Sequence, residues 1–170
     1  MKAPVIVRAR INERHAMDKE SYSKILSYID QHPIATLGTI NPDGSPHGAV
    51  VYICADNHQG TIYFVTKQET KKYQNLLGRD RVSITVVNPM DNSTLQADGR
   101  AFTVQNPAVI DMVMKKIAHE HVSAKDWLPP IAKLRAGAYE VVGVTLARAR
   151  LAEFQGMAIG SEYIFTGGEV

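Results

Sequence analysis

The β-rich runs of this 170-residue chain are joined by connections too short for its strands to lie parallel. Ile34 to Ile40, Gly48 to Cys54 and Thr61 to Thr66 are separated by Asn41 to Pro46 and by Asp56 to Gly60. A parallel crossover needs about a dozen residues or more, so these runs predict antiparallel hairpins. Pro42 presets φ in the first turn and Gly44 accepts a positive φ, which makes Asn41-Pro42-Asp43-Gly44 a hairpin connection.

Other segments change period. Asp18 to Gln31 carries Tyr22, Ile25, Leu26 and Ile29 at helical spacing, and Pro107 to His121 carries Val109, Ile110, Val113, Met114 and Ile117. Thr70 to Leu77 predicts a short helix, with Thr70 placed to cap it and Gly78 to end it. Arg81 to Val87 and Thr94 to Val104 read as strands, and Gly99 inside the second predicts a bulge or a close approach. Trp127 to Lys133 reads as irregular or as a single turn. Ala138 to Ala147 reads as the last core strand, and a hairpin is expected in the tail around Glu162 to Glu169. The order predicts one antiparallel α+β barrel domain over 1–170, with its core at about 18–147 and a C-terminal extension at 148–170.

The formal charge of +2 gives no strong field for nucleic acid or an anionic membrane, and no apolar run is long enough to span a bilayer. Any anion site must be local. With Cys54 as the only cysteine, no intrachain disulfide or cysteine-based zinc site can form, and a reducing, cytoplasmic setting is expected.

The most informative stretch runs from Ile62 to Leu77, where a strand passes through a polar turn into a helix. Unpaired backbone N–H groups and a partial positive charge make a helix start a seat for phosphate. Thr66 and Thr70 add hydroxyls, and Lys67, Lys71 and Lys72 add charge. Cations here oppose the helix dipole, and a bound anion would account for them. A solvated lysine surface with Thr70 as a plain cap fits the charge pattern too.

Phe64-Val65-Thr66, then Thr70-Lys71-Lys72 and Leu76, resembles the strand-to-helix pattern of the pyridoxamine 5′-phosphate oxidase-like, FMN-binding split barrels, with Thr for Ser and Lys for Arg. Asp43 to Pro46 is similar to that family's hairpin. Arg79 to Ile84 and Leu95 to Ala101 are similar to two of its later strands, so the resemblance spans about 20–147. It implies a mainly β, antiparallel split barrel of six or more strands in Greek-key order, with FMN at the interface of a homodimer. It implies that Ala49, Val50, Val51 and Tyr52 lie along the flavin ring and that Thr66 bonds near the ribityl chain or ring. Thr70, Lys71 and Lys72 would take the phosphate, with Lys67 beside them. Thr94 and Gln96 would reach the flavin from the barrel or from the partner. Haem and deazaflavin are the alternative ligands that this fold group implies.

Two departures matter. Aligned on Pro46, the strand arginine of the vitamin-forming oxidases falls at Ala49 and the lysine at Cys54, so one cationic phosphate ligand is absent. The tail also lacks the elements with which those oxidases hold pyridoxal phosphate. A flavin-dependent oxidoreductase of a small molecule is therefore expected, rather than a pyridoxamine phosphate oxidase, with a non-catalytic flavin or haem module as the alternative. No residue stands out as a general acid or base. His47 reads either as a substrate-side acid or base or as a turn histidine. His119 and His121 flank Glu120 but point apart on a helix, so no metal site is predicted. Cys54 and Trp127 read as packing residues, and Tyr52 faces either flavin or core.

Overall fold

The computed structural model describes residues 19–57, 60–123 and 138–167. Trp127 to Lys133 and the side chains of His119 and His121 lie outside what it describes. The chain order is α1 (Lys19–Gln31), β1 (Ile34–Ile40), β2 (Pro46–Asp56), β3 (Thr61–Lys67), α2 (Lys71–Gly78), β4 (Arg81–Asn88), β5 (Ser93–Thr103), α3 (Pro107–Ser123), β6 (Tyr139–Gln155) and β7 (Ala158–Thr166).

All pairings are antiparallel. The order β3-β2-β1-β4-β5-β6 closes on itself because β6 also pairs with β3, from Thr61 opposite Thr145 to Lys67 opposite Tyr139. Six strands thus form a ring, with β7 added to the outer half of β6. The tail departs from the sequence expectation. β6 does not stop at Ala147 but continues to Gln155, and the hairpin turns at Gly156, whose φ of 64° suits glycine. Phe165 of β7 is buried against Tyr22 of α1, so this strand helps build the core.

The first hairpin closes as its residues dictate. The Gly44 amide donates to the Asn41 carbonyl at 2.9 Å, the Asn41 amide donates to Ser45 O at 2.9 Å, and Gly44 has φ 90°. Side chains then alternate along β2. Val51, Ile53 and Ala55 enter the barrel core with Leu37, Ile62, Phe64, Ile84 and Leu95. Tyr52 and Cys54 face outward, into a second cluster with Tyr63, Val65 and Val141 beneath Val113 and Ile117 of α3. Tyr52 therefore packs in a core, and Cys54 does so as expected. Lys116 Nζ donates to Ala55 O at 2.6 Å and lies 3.4 Å from Asp30 Oδ2, while Asp30 Oδ1 accepts the Ala55 amide, which ties α3, α1 and β2 together. No described helix is long and apolar enough to cross a membrane.

The interior glycine of β5 does what its position suggested. The β5–β6 register shifts between Asp98 and Gly99, and a Cβ on Gly99 would stand 2.2 Å from the Thr145 carbonyl oxygen. Gly99→Ala should lower the unfolding free energy by about 1–3 kcal/mol in urea titrations. Gly78→Ala, with nothing within 4 Å of the new methyl, should instead raise it by about 0.5 kcal/mol.

Candidate functional site

The ring is not paired all the way round. β2 meets β3 only from Ile53 to Asp56, while the first half of β2 pairs on one side only, with β1. Beyond Phe64, β3 pairs only with β6. The barrel is therefore split between Pro46–Tyr52 and Val65–Lys67, and α2 follows directly from the β3 side of the gap. The Asn41 amide bonds Ser45 O and the Ile53 amide bonds Pro33 O, so the odd-numbered residues of β2 direct their backbone groups to β1. The N–H and C=O of Gly48 and Val50 consequently face the open edge.

On the other wall, Thr66 is buried and its hydroxyl lies 2.8 Å from that of Thr70. Thr70 donates to Lys67 O at 2.8 Å and makes no side-chain cap on α2, contrary to the capping expected from its position. The first-turn amides of α2 thus keep no side-chain acceptor from the residue that normally supplies one.

The three lysines differ. Lys67 Nζ sits 3.6 Å from Glu69 and 5.9 Å from the centre of the Tyr139 ring, so its charge is already engaged. Lys71 is exposed on the side of Asp43. Hydrogen bonds from the Ser45 hydroxyl and amide hold the Asp43 carboxyl below its usual range, with a smaller pull from Lys71. Lys72 is half-buried, has no counter-charge among the described residues, and burial alone pulls its pKa below the ordinary 10.5.

Sequence reasoning missed what holds this wall in place. Asn75, buried, donates to Thr39 Oγ1 and Asn41 Oδ1, both at 3.0 Å. Arg79 donates to the carbonyls of Asn41 and Pro42 at 3.1 and 3.2 Å. Lys72, Asn75, Leu76 and Arg79 fall at i, i+3, i+4 and i+7, one helical stripe, so Lys72 shares the face turned to the β1–β2 hairpin. The available signal was the polar Asn75 set between Tyr73 and Leu76, the residues of α2 that pack on the core.

Ala49 and Val51 lie on the inward face of β2, and Val50 and Tyr52 on the outward face. His47 is half-buried opposite Thr39. Thr94 and Gln96 are not brought to Thr66–Lys72 within one chain. Their partners on β6, Ala152 and Arg150, lie ten or more residues from Glu140, the partner of Thr66, or about 30 Å along the strand. They sit instead on the outer sheet face, where a cross-strand row runs from Val50 through Thr36 and Thr85 to Gln96. Among the described residues no cluster of His, Cys, Asp and Glu is arranged to hold a metal ion.

The arrangement can do two things chemically. The first-turn amides and the unpaired Lys72 ammonium at the start of α2 can hold a phosphate, and the open backbone edge of β2 can exchange hydrogen bonds with a flat polar group. Below its depressed folded pKa, Lys72 opposes folding, and that penalty fades as pH rises toward the ordinary lysine value. Lys72→Met should therefore raise the urea midpoint of the ligand-free protein at neutral pH, with the gain shrinking as pH rises through the depressed pKa and gone above the ordinary 10.5.

Residues 23–152 match the family described as Pyridoxamine 5′-phosphate oxidase. No curated protein matches the chain at a significant level. Among solved structures, the chain is similar to a pyridoxamine 5′-phosphate oxidase-related, FMN binding protein from Nostoc punctiforme, at 10% identity and TM-score 0.58 over 88% of this chain and 89% of that one. It is similar to a heme binding protein from Mycobacterium smegmatis, at 15% identity and TM-score 0.61 over 90% of this chain and 60% of that one. It is also similar to General Stress Protein 26 from Bacillus anthracis, at 14% identity and TM-score 0.57 over 76% of this chain and 92% of that one. At these identities the likeness is one of fold.

Proposed function

The chain belongs to the pyridoxamine 5′-phosphate oxidase family, and from that premise we propose that it binds FMN in the barrel split and acts as a flavin-dependent oxidoreductase on a small molecule. The observation that carries this reading is Lys72, a half-buried cation without a counter-charge at a helix start whose cap hydroxyl is turned away. The donor set fits a phosphate. Lys71 and Lys72 would hold it with the first-turn amides of α2, Thr70 would join them by turning its hydroxyl away from Lys67 O, and Thr66 would stand toward the ribityl chain. Lys67, already engaged by Glu69 and Tyr139, would shape the wall rather than bind charge. Gly48 and Val50 would offer backbone groups to the ring's polar edge, with Ala49, Val51 and Tyr52 fixing the strand that carries them. Bound FMN supplies the redox chemistry, and the protein supplies position and hydrogen bonds.

The reading includes a homodimer. Ile34, Val50, Val87 and Ile164 are large apolar side chains about half exposed on the outer sheet face. Packing that face against a second copy would cover them and would bring Thr94 and Gln96 of one protomer toward the open β2 edge of the other. Ala49 in place of a strand arginine argues against the vitamin-forming reaction itself.

Haem is the second reading, favoured by the fold likeness to the M. smegmatis heme binding protein and by the half-buried His47 beside the split. Deazaflavin would use the same phosphate contacts.

Titrating the protein with FMN and following flavin fluorescence should give saturable binding that weakens by about 10- to 100-fold in Lys72→Ala, the loss expected for about 1.5 to 3 kcal/mol of a charge-assisted contact. Unchanged affinity in that variant would remove Lys72 from the site. Oxidation of NADH or NADPH by the FMN-loaded protein is the matching activity assay, and inert bound FMN would favour the non-catalytic module.

A further inference from the structure

A cleft lined by arginines lies on the outer face of β4, β5 and β6. Arg81 and Arg100 stand directly opposite each other in the β4–β5 ladder, and Arg100 is opposite Thr145 of β6. Like charges facing across a ladder destabilise it. Arg148 joins them only because of the β5–β6 irregularity. In a regular strand, Thr145 and Arg148 would face opposite sides, since they are three residues apart. The register step from Asp98 opposite Arg148 to Gly99 opposite Leu146 inserts Ala147 and turns both to the same face. Gly99 permits the close approach that this requires.

These residues line a cavity of about 570 Å³, together with Asp98 and the hydroxyl-bearing Thr145 and Thr166. A neighbouring cavity of about 480 Å³ shares Asp98, Arg148 and Thr166 with it and adds Gln96 and Arg150. Both volumes are in the range of small-molecule sites. The internal carboxylates leave donors over. Asp80 engages only Nη1 of Arg100, at 2.8 and 3.1 Å, and Asp98 engages Nε and Nη2 of Arg148 at 3.3 and 3.1 Å. Arg150 is paired with Glu162. Arg81 has no carboxylate partner among the described residues, and the Nε and Nη2 groups of Arg100 are likewise free there.

We propose that the Arg81–Arg100–Arg148 cleft binds the oxyanion group, carboxylate or phosphate, of a small molecule, as a site separate from the Thr66–Lys72 wall. Guanidinium forks match the planar, paired oxygens of such groups, and the threonine hydroxyls can complete the set. Asp80 offsets part of the repulsion between Arg81 and Arg100, and the anion would offset the charge that remains on Arg81.

The test is a side-chain NMR titration of the full chain with inorganic phosphate and, separately, with succinate. It follows the arginine Nε–Hε signals and the backbone amides of Lys71 to Tyr73, with sodium chloride at matched ionic strength as reference. Saturable shifts of Arg81, Arg100 and Arg148 are expected, at least 5-fold weaker in Arg81→Ala, partly restored in Arg81→Lys, and retained in Lys72→Ala. Whichever anion acts at lower concentration identifies the group. Shifts confined to Lys71–Tyr73 would overturn the cleft and leave the FMN-phosphate reading standing, whereas arginine shifts alone would do the reverse. Equal shifts with chloride, or none at the arginines, would also overturn it.

Discussion

The fold depends on one strand having two sets of partners. β6 is 17 residues long, and its first half pairs with β3 while its second half pairs with β7, with β5 lying along both. Without the β3–β6 ladder the sheet would be open, with long unpaired edges. With it, six strands close around a core of Leu37, Ile53, Phe64, Ile84 and Leu95. Closure at β6 also decides where the ring stays open. β3 is turned toward β6 after Phe64, so the first half of β2 has no second neighbour, and the split appears beside the start of α2.

The charges follow the same geometry. Lys67 and Lys71 have local company, while Lys72 is carried by the Asn75–Arg79 clamp onto the half-buried face of α2 without any. A desolvated cation with no counter-charge is a cost to the folded state, and it makes the site receptive to an anion before one arrives. The bulge that lets β6 bend past β5 has a comparable effect at the other end of α2, where it gathers arginines that a regular ladder would have separated.

Much of this could be read from the chain. The NPDG turn, the short connections and the helical stripes predicted an antiparallel α+β barrel, and Gly99 marked its bulge correctly, because each of these signals is local. The order of motifs from Asp43 to Ala101 pointed to the right family. What could not be read was set by long-range pairing. Nothing local told that β6 would run past Ala147 to make Phe165 a core residue, that Thr70 would bond backward to Lys67 instead of capping, or that Asn75 and Arg79 would hold the hairpin. Spacing could not sort the three lysines either, because their difference lies in which neighbour each one finds in space. Gln96 and Thr94 shared a strand with the right motif yet stand apart from the phosphate wall, a separation that only the register of β6 reveals.

The central claim is that the split between β2 and α2 is an FMN site, and the most direct measurement is mass spectrometry of the small molecule released when the purified protein is denatured, alongside its visible spectrum. The account predicts the mass of FMN and a flavin spectrum in the native protein. Release of haem with a Soret band, or failure to retain any flavin after incubation with FMN, would contradict it.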